Sequence, residues 1–300
     1  MSATNGPSSS NAASIAPAQA GYDLYAVIGN PIAHSKSPVI HARFAEQTGE
    51  RIEYRSLLAP VDGFEDTVRA FVAAGGRGLN VTVPFKLQAY ALADRLSPRA
   101  AAAGAVNTLR FDNDGIYGEN TDGIGLVTDI ETNLKVDLAG ARILLLGAGG
   151  AARGAVLPIL ERGPRLLTIV NRTASKAEAL AQQFGQAARE AGCALSGGAP
   201  EAVEPAPYDV IVNATAGSLT AEVPECDPRA FGPNTLAYDM MYGAQPTVFM
   251  RHARSLGAKT SDGLGMLVEQ AAESFRIWRG VSPASAPVLA ELRAMLATPA

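Results

Sequence analysis

An α/β fold built on parallel sheet is the architecture this sequence predicts, on three observations. Short apolar runs alternate with stretches whose apolar residues recur at helical spacing. One run, Ile143 to Leu146, is apolar throughout, as a strand covered on both faces is. It passes at once into Gly147-Ala148-Gly149-Gly150-Ala151-Ala152-Arg153, a glycine-rich turn that opens a helix.

Leu24 to Ile28 reads as the first strand, and Val39 to Phe44 as part of the first helix. Ile52 to Leu57 is a strand, and Val61, Phe64, Val68, Phe71 and Val72 make a helical stripe. Gly78 to Val83 is the third strand, with Val81 and Val83 alternating around Thr82. Pro84 suits the first position of a following helix. Val106 to Phe111 and Ile116 to Glu119 form a hairpin across the turn signal Asp114-Gly115. A helix begins near Thr121 or Asp122, with Ile124, Val127, Ile130 and Leu134 on one face. After Gly140 come Ile143 to Leu146 and the glycine turn. Further strands are Leu166 to Val170, Val210 to Val212, Leu236 to Tyr238 and a short one near Ala258 to Thr260. Leu264 to Trp278 and Val288 to Leu296 are terminal helices.

The chain of 300 residues suggests one large or two ordinary domains, enough for substantial cores. A net charge of -4 gives no footprint for nucleic acid or an anionic membrane. Apolar segments are short and broken by Gly or Pro, so no transmembrane helix is expected. Cys193 and Cys226 form neither a redox nor a zinc pattern, which favours a reducing compartment. His34, His41 and His252 lack ligand spacing, so no metal is expected. Residues 1–20 are rich in Ser, Ala, Asn and Pro without a charge, and read as a disordered tail rather than a signal peptide.

Gly147-x-Gly149-x-x-Ala152 follows a strand and opens a helix, the context of a dinucleotide fingerprint. Its glycines let the backbone approach a pyrophosphate at the helix N-terminus. An NAD-type site places a carboxylate at the end of the next strand. Here that position holds Asn171-Arg172-Thr173, followed by Ala174, Ser175 and Lys176. A carboxylate would repel a 2'-phosphate, whereas Arg172 can clamp one, so NADP is the expected cofactor. Thr173 is also placed to cap the next helix.

In the loop Gly29 to Pro38, Ser35 and Ser37 can aim hydroxyls at one anion such as a carboxylate. Serines before a proline are equally familiar as helix caps, and the loop alone does not decide. Lys86 falls in the first turn of a helix, where the macrodipole disfavours a cation. Residues placed against local preference mark function. Asp122, in the first turn of another helix, is favoured there as a carboxylate and is the natural partner of Lys86. Such a pair can move the proton that must leave a hydroxyl when hydride goes to a nicotinamide.

Seven segments together resemble the shikimate dehydrogenase family in order and spacing, over about residues 22 to 298. They are Gly29 to Pro38, Asn80 to Lys86, Ala105-Val106-Asn107-Thr108, Asn120-Thr121-Asp122-Gly123, Gly147 to Arg153, Asn171-Arg172-Thr173 and Asp262-Gly263-Leu264-Gly265-Met266. The resemblance implies an N-terminal α/β substrate domain, residues 21–121, completed by C-terminal helices in residues 263–300. A Rossmann-type NADP-binding domain with parallel sheet would occupy residues 122–262. The implied activity is NADP-dependent, reversible reduction of 3-dehydroshikimate to shikimate, towards chorismate and aromatic amino acids. A cytoplasmic monomer or homodimer is implied. Lys86 and Asp122 would be the catalytic pair. Ser35 and Ser37 would bind the substrate carboxylate, and Asn80, Thr82, Asn107 and Gln270 its carboxylate or hydroxyls, with Tyr242 nearby. Gly147, Ala148, Gly149, Gly150 and Ala151, with Asn171 to Lys176, would hold the cofactor, and Met240 and Gly263 would line its nicotinamide end.

The sequence departs from the pattern at Asn213-Ala214-Thr215-Ala216-Gly217, where many relatives carry serine or proline before the glycine, and at Pro98, where many carry an acidic residue. A quinate/shikimate dehydrogenase using NAD is the nearest competing reading. A regulator that binds nucleotide without turnover is a reading from another class.

Overall fold

A computed structural model describes residues 15–215, 217 and 222–297. The chain runs through β1 (Asp23–Gly29), α1 (Ser37–Thr48), β2 (Ile52–Leu58), α2 (Phe64–Ala73), β3 (Gly76–Val81), α3 (Lys86–Leu92), β4 (Arg95–Leu96), α4 (Pro98–Ala103) and the hairpin of β5 (Thr108–Asp112) and β6 (Gly115–Glu119). Next comes α5 (Asp122–Thr128), which widens into a π-helical turn over Asp129–Asn133. There follow β7 (Arg142–Leu146), α6 (Gly150–Leu160), β8 (Leu166–Val170), α7 (Ala174–Gln183), α8 (Gly185–Glu190), β9 (Ala194–Gly198) and β10 (Val210–Asn213). The chain ends in β11 (Leu236–Asp239), α9 (Val248–Ser255), β12 (Lys259–Ser261), α10 (Leu264–Arg279) and α11 (Ser285–Ala297).

The strands form two sheets. The first has the order β2-β1-β3-β5-β6-β4 and is mixed, because the β5–β6 hairpin pairs antiparallel to β3. The second is parallel throughout, in the order β12-β11-β10-β7-β8-β9. Read from its other edge this is the doubly wound 3-2-1-4-5-6 order, whose ligand crevice opens where the winding reverses, between β7 and β10.

Period-2 alternation divides β7 between two cores. Ile143 and Leu145 pack under α5 and α6 with Val210 and Val212, while Leu144 and Leu146 join Ile211, Tyr208 and Phe249 on the opposite face. The first sheet is likewise covered on two sides. Leu24, Ala26 and Ile28 pack with Phe64, Phe71 and Phe85, whereas Tyr25 faces Ile40 and Phe44 of α1 and Leu264, Phe275 and Leu292 of α10 and α11. Helices from the end of the chain therefore complete the core of its beginning.

Some expectations change. The third strand stops at Val81, because Thr82 to Phe85 form a turn closed by Phe85 N–H donating to Thr82 O at 3.0 Å. Pro84 lies in that turn, not in the helix, and Phe85 is the N-cap of α3. Val61 is 62% exposed in a turn ahead of α2, so only Phe64, Val68 and Phe71 of its stripe face inward. The β5–β6 turn residues are Asn113 and Asp114, and Gly115 opens β6 at φ 101. Residues 15–20, read as part of a disordered tail, lie against β2. Arg55 donates to Ala16 O and Pro17 O at 2.6 and 2.9 Å, and Gln19 N–H donates to Glu53 at 2.8 Å. Residues 1–14 of that tail, Ala216 and residues 298–300 lie outside the described residues. The edge strands β4 and β9 have no counterpart in the reading of the sequence.

Candidate active site

Two clefts carry most of the expected site residues. The first, of about 450 Å³, gathers Ser35, Ser37, Asn80, Thr82, Lys86, Asn107, Asp122, Tyr242 and Gln270 on one surface, with Met240 and Gly263 at its edge. Lys86 is the first residue of α3, held in place by Phe85, which is fully buried and stacked on Phe64 at 5.0 Å. Its Nζ donates to Asp122 Oδ2 at 2.5 Å. Asp122 is the first residue of α5, where the helix dipole favours its charge and that charge offsets the dipole's opposition to Lys86. The expected pair therefore meets.

Asn107 holds the other carboxylate oxygen. Its Nδ2 donates to Asp122 Oδ1 at 2.9 Å, while its Oδ1 accepts from Thr121 N–H at 2.8 Å, which fixes the amide orientation. Asn120 Oδ1 accepts from Asp122 N–H at 3.1 Å, and Asn120 Nδ2 donates to Ala105 O. Gln270 reaches the same cluster from α10, its Oε1 3.3 Å from Thr121 Oγ1. The Lys86 and Asp122 side chains stay 32% and 21% exposed, open to a ligand in the cleft.

Ser35 and Ser37 do not cap α1. The N-cap residue is Lys36, no side chain caps the helix, and Ser35 Oγ accepts only from Ser37 N–H at 3.3 Å. Both residues nevertheless line the cleft, Ser35 bonded to the first N–H of α1 and the Ser37 hydroxyl to the buried Tyr54.

Behind this surface runs a layer the sequence reading missed as a unit. Asn80 is buried, accepting through Oδ1 from Tyr54 hydroxyl at 2.7 Å and His41 Nε2 at 3.1 Å. Its Nδ2 donates to Ser274 at 3.0 Å and Thr108 at 3.2 Å. Complete burial pushes His41 down to about 3, outweighing the hydrogen bond to Asn80 that favours its charged form. The ring is therefore neutral, with Nε2–H the donor, and it stacks on Tyr54 at 4.2 Å. Burial raises the Tyr54 hydroxyl well above its ordinary value, against a hydrogen bond from Ser37. Polar contacts thus run from Ser37 through Tyr54, Asn80, Thr108 and Thr121 to Asn107 and Asp122. One signal was available: Ser274 sits one turn beyond Gln270, a polar residue on the core-facing side of α10.

The second cleft, of about 700 Å³, opens at the carboxyl ends of β7, β8 and β10. Gly147, Asn171, Arg172, Thr173 and Lys176 line it. Gly147 has φ 107, so a side chain there would be strained and would press on Thr215. A Cβ built on Gly149 or Gly150 would meet nothing within 4 Å, which leaves the backbone at the start of α6 open to a close-lying anion. Ala148 lies in the turn and Ala151 in the first turn of α6; of the five loop residues expected to hold the cofactor, Gly147 lines the cleft and the other four do not. Arg172 and Lys176 supply cations where a 2'-phosphate would lie, and no carboxylate ends β8. The residues present therefore suit NADP, with Glu222 and Glu225 on another wall of the cleft. Ala174 and Ser175 start α7 and do not line this cleft. Thr173 is the N-cap of α7, but its side chain makes no capping bond; its carbonyl accepts from Asn171 Nδ2 at 3.0 Å.

Comparison with known proteins adds independent findings. Residues 27–109 match the family model for the shikimate dehydrogenase substrate binding domain. Residues 129–221 match the shikimate / quinate 5-dehydrogenase model, and residues 263–293 the shikimate 5'-dehydrogenase C-terminal domain. A shikimate dehydrogenase (NADP(+)) of Cupriavidus pinatubonensis is 59% identical, over 91% of this chain and 95% of its own length. The enzyme of the same name from Herminiimonas arsenicoxydans is 60% identical, over 91% and 98%. Among solved structures, shikimate 5-dehydrogenase from Thermus thermophilus in complex with NADP(H) and shikimate is 32% identical with a TM-score of 0.78, covering 91% of this chain and 100% of that one.

Proposed function

The chain belongs to the shikimate dehydrogenase family, and on that premise we propose that Lys86 and Asp122 handle the hydroxyl proton in NADP-dependent, reversible reduction of 3-dehydroshikimate to shikimate. The observation that carries this reading is the 2.5 Å contact between a helix-start lysine and a helix-start aspartate inside a polar cleft. A nicotinamide cofactor held by the glycine turn and Arg172 would supply the hydride chemistry, as NADP in the oxidative direction and as NADPH in the reductive one.

The chain's own residues do the rest. In the oxidative direction Lys86 Nζ accepts the hydroxyl proton as the carbonyl forms, and in reduction it returns that proton to the carbonyl oxygen. Asp122 holds Nζ at the reacting oxygen and balances its charge. Asn107 locks the Asp122 carboxylate, so the pair does not have to reorganise during transfer. Ser35 and Ser37 take the substrate carboxylate, while Thr82, Asn107 and Gln270 serve its carboxylate and ring hydroxyls, with Tyr242 nearby. Asn80, expected among them, braces the site from behind, because its amide is already bonded to His41, Tyr54, Thr108 and Ser274. Arg172 and Lys176 hold the 2'-phosphate, and the turn Gly147 to Ala151 holds the pyrophosphate. Met240 and Gly263 border the nicotinamide.

Residues 21–121 with 263–300 form the substrate-binding part in this reading, and residues 122–262 the NADP-binding part, supported by the two sheets and the return of α10 and α11 to the first. A cytoplasmic enzyme, monomeric or homodimeric, is in keeping with two free cysteines, Cys193 buried and Cys226 partly so. No helix among the described residues is long and apolar enough to cross a membrane.

The direct test mixes shikimate and NADP with the protein and follows NADPH absorbance. Absence of signal at high enzyme concentration would end the dehydrogenase reading. Robust oxidation of quinate with NAD in the same assay would overturn the choice of substrate and cofactor.

A further inference from the structure

A buried carboxylate that the mechanism does not use sits at the far end of α5 from Asp122. Asp129 begins the π-helical turn and is 2% exposed. Its Oδ2 accepts from the Tyr238 hydroxyl at 2.7 Å, and its Oδ1 from Asn133 Nδ2 at 2.8 Å. Tyr238, fully buried in β11, also accepts from Met266 N–H in the first turn of α10 at 3.3 Å. One hydroxyl and one carboxylate thus join three elements that each carry part of the cleft: α5 with Asp122, α10 with Gln270, and β11, which leads into Met240 and Tyr242.

We propose that Asp129 and Tyr238 are positioning residues for the reaction, their hydrogen bond setting the register in which these three elements present their side chains to the substrate. The inference rests on the dehydrogenase reading. Three observations support it beyond the contact itself.

First, the site is built around the carboxylate. A Cβ on Gly265 would stand 1.9 Å from Asp129 Oδ1, so α10 gives up a side chain where Asp129 lies. Second, the arrangement is costly for folding alone. Burial raises the Asp129 pKa, and nearby Asp262 raises it further. Arg293 donates to both oxygens of Asp262 at 2.7 Å, while Glu269 accepts from Asn133 and Ser285. Apolar residues of similar volume commonly serve stability as well or better. Third, the rest of α5 has no slack to absorb a shift. A Cβ on Gly123 would stand 2.1 Å from Gly154 O of α6, and one on Gly125 would stand 2.7 Å from Gln270 N of α10. Movement at Asp129 is therefore passed along a rigid helix to Asp122, roughly 10 Å away at 1.5 Å per residue.

The test compares Tyr238→Phe and Asp129→Asn with the unmodified enzyme. Measured are kcat, KM for shikimate and NADP, the melting temperature, and the isotope effect with shikimate deuterated at the reacting carbon. Misplacement of Asp122 and Gln270 should lower kcat by about 10-fold or more. KM for NADP should stay within about twofold, and the isotope effect should rise as hydride transfer becomes limiting. Leu292→Ala, in the core between α10 and α11, is the control for stability loss alone, expected to lower the melting temperature while keeping kcat. The proposal falls if folded Tyr238→Phe keeps kcat within about twofold with an unchanged isotope effect. It falls also if Leu292→Ala loses kcat equally at the same melting temperature, or if neither pair variant folds, because the pair is then structural. Failure of the unmodified enzyme to oxidise shikimate would instead sink the dehydrogenase reading.

Discussion

Removing the Lys86 ammonium leaves Asp122 bound to Asn107 but takes away the group that carries the proton. Lys86→Ala is expected to lower kcat by about 100-fold or more with modest change in KM for shikimate. Steady-state kinetics decide it, since an unchanged kcat removes Lys86 from the mechanism. In the other cleft, Arg172→Ala should weaken NADPH far more than NADH, because only NADPH carries the 2'-phosphate. Titration with both nucleotides checks this, and equal weakening would point to damaged folding. Lys86 and Asp122 were legible because each stands at a helix start, one against the dipole and one with it. His41, Tyr54 and Ser274 were not, because a polar residue on a core-facing position looks the same whether it braces a site or merely satisfies a neighbour.

Among the elements, α5 is the most tightly constrained. Gly123 faces α6 and Gly125 faces α10, so the helix bearing Asp122 lies in backbone contact with both. Gly123→Ala must push α5 from α6, since the obstacle is the Gly154 carbonyl and not the tip of a flexible side chain. Such overpacking should cost about 1–3 kcal/mol, and kcat should fall with it. Urea unfolding with kinetics on the same sample measures both; stability and kcat at unmodified levels would contradict the packing argument. The strand β7 and its glycine turn were readable because an all-apolar run followed by glycines has few other meanings. By contrast β9, Ala194–Gly198, is an edge strand with two glycines that pairs only with β8, and it lacks the apolar alternation that marks a strand. Pro84 misled for a related reason: a proline that suits a helix start equally suits the turn before one, and the turn prevailed.

For the molecule as a whole, stability should depend on pH through His41, which lies among Tyr54, Phe44, Phe275 and Trp278 where α1, the first sheet and α10 meet. Its folded value near 3 is far below the ordinary 6.5 of an unfolded chain. Between those values the unfolded state binds a proton that the folded state refuses. This contribution is therefore fully present above pH 6.5 and is lost as pH falls towards 3. The slope is about 1.4 kcal/mol per pH unit from this residue. Urea unfolding at pH 7 and pH 5 should show the decline, and His41→Phe should flatten it; an equal slope in the variant would assign the effect to other groups. Alternating strand and helix made the α/β class legible, and the ordered motifs implied its two-part division. The docking of residues 15–20 on β2 escaped notice because a charge-free, low-complexity stretch carries no periodic signal, and its partners Arg55 and Glu53 lie on another element.

The return of α10 and α11 to the first sheet also fixes a timetable. Translation runs from the N-terminal side, yet Tyr25, Ile40 and Phe44 find Leu264, Val268, Phe275, Val288 and Leu292 only after α10 and α11 leave the ribosome. All strands of the second sheet have been made by Ser261, so the half synthesised later can finish folding first. The half synthesised first waits until then with an apolar face open to water.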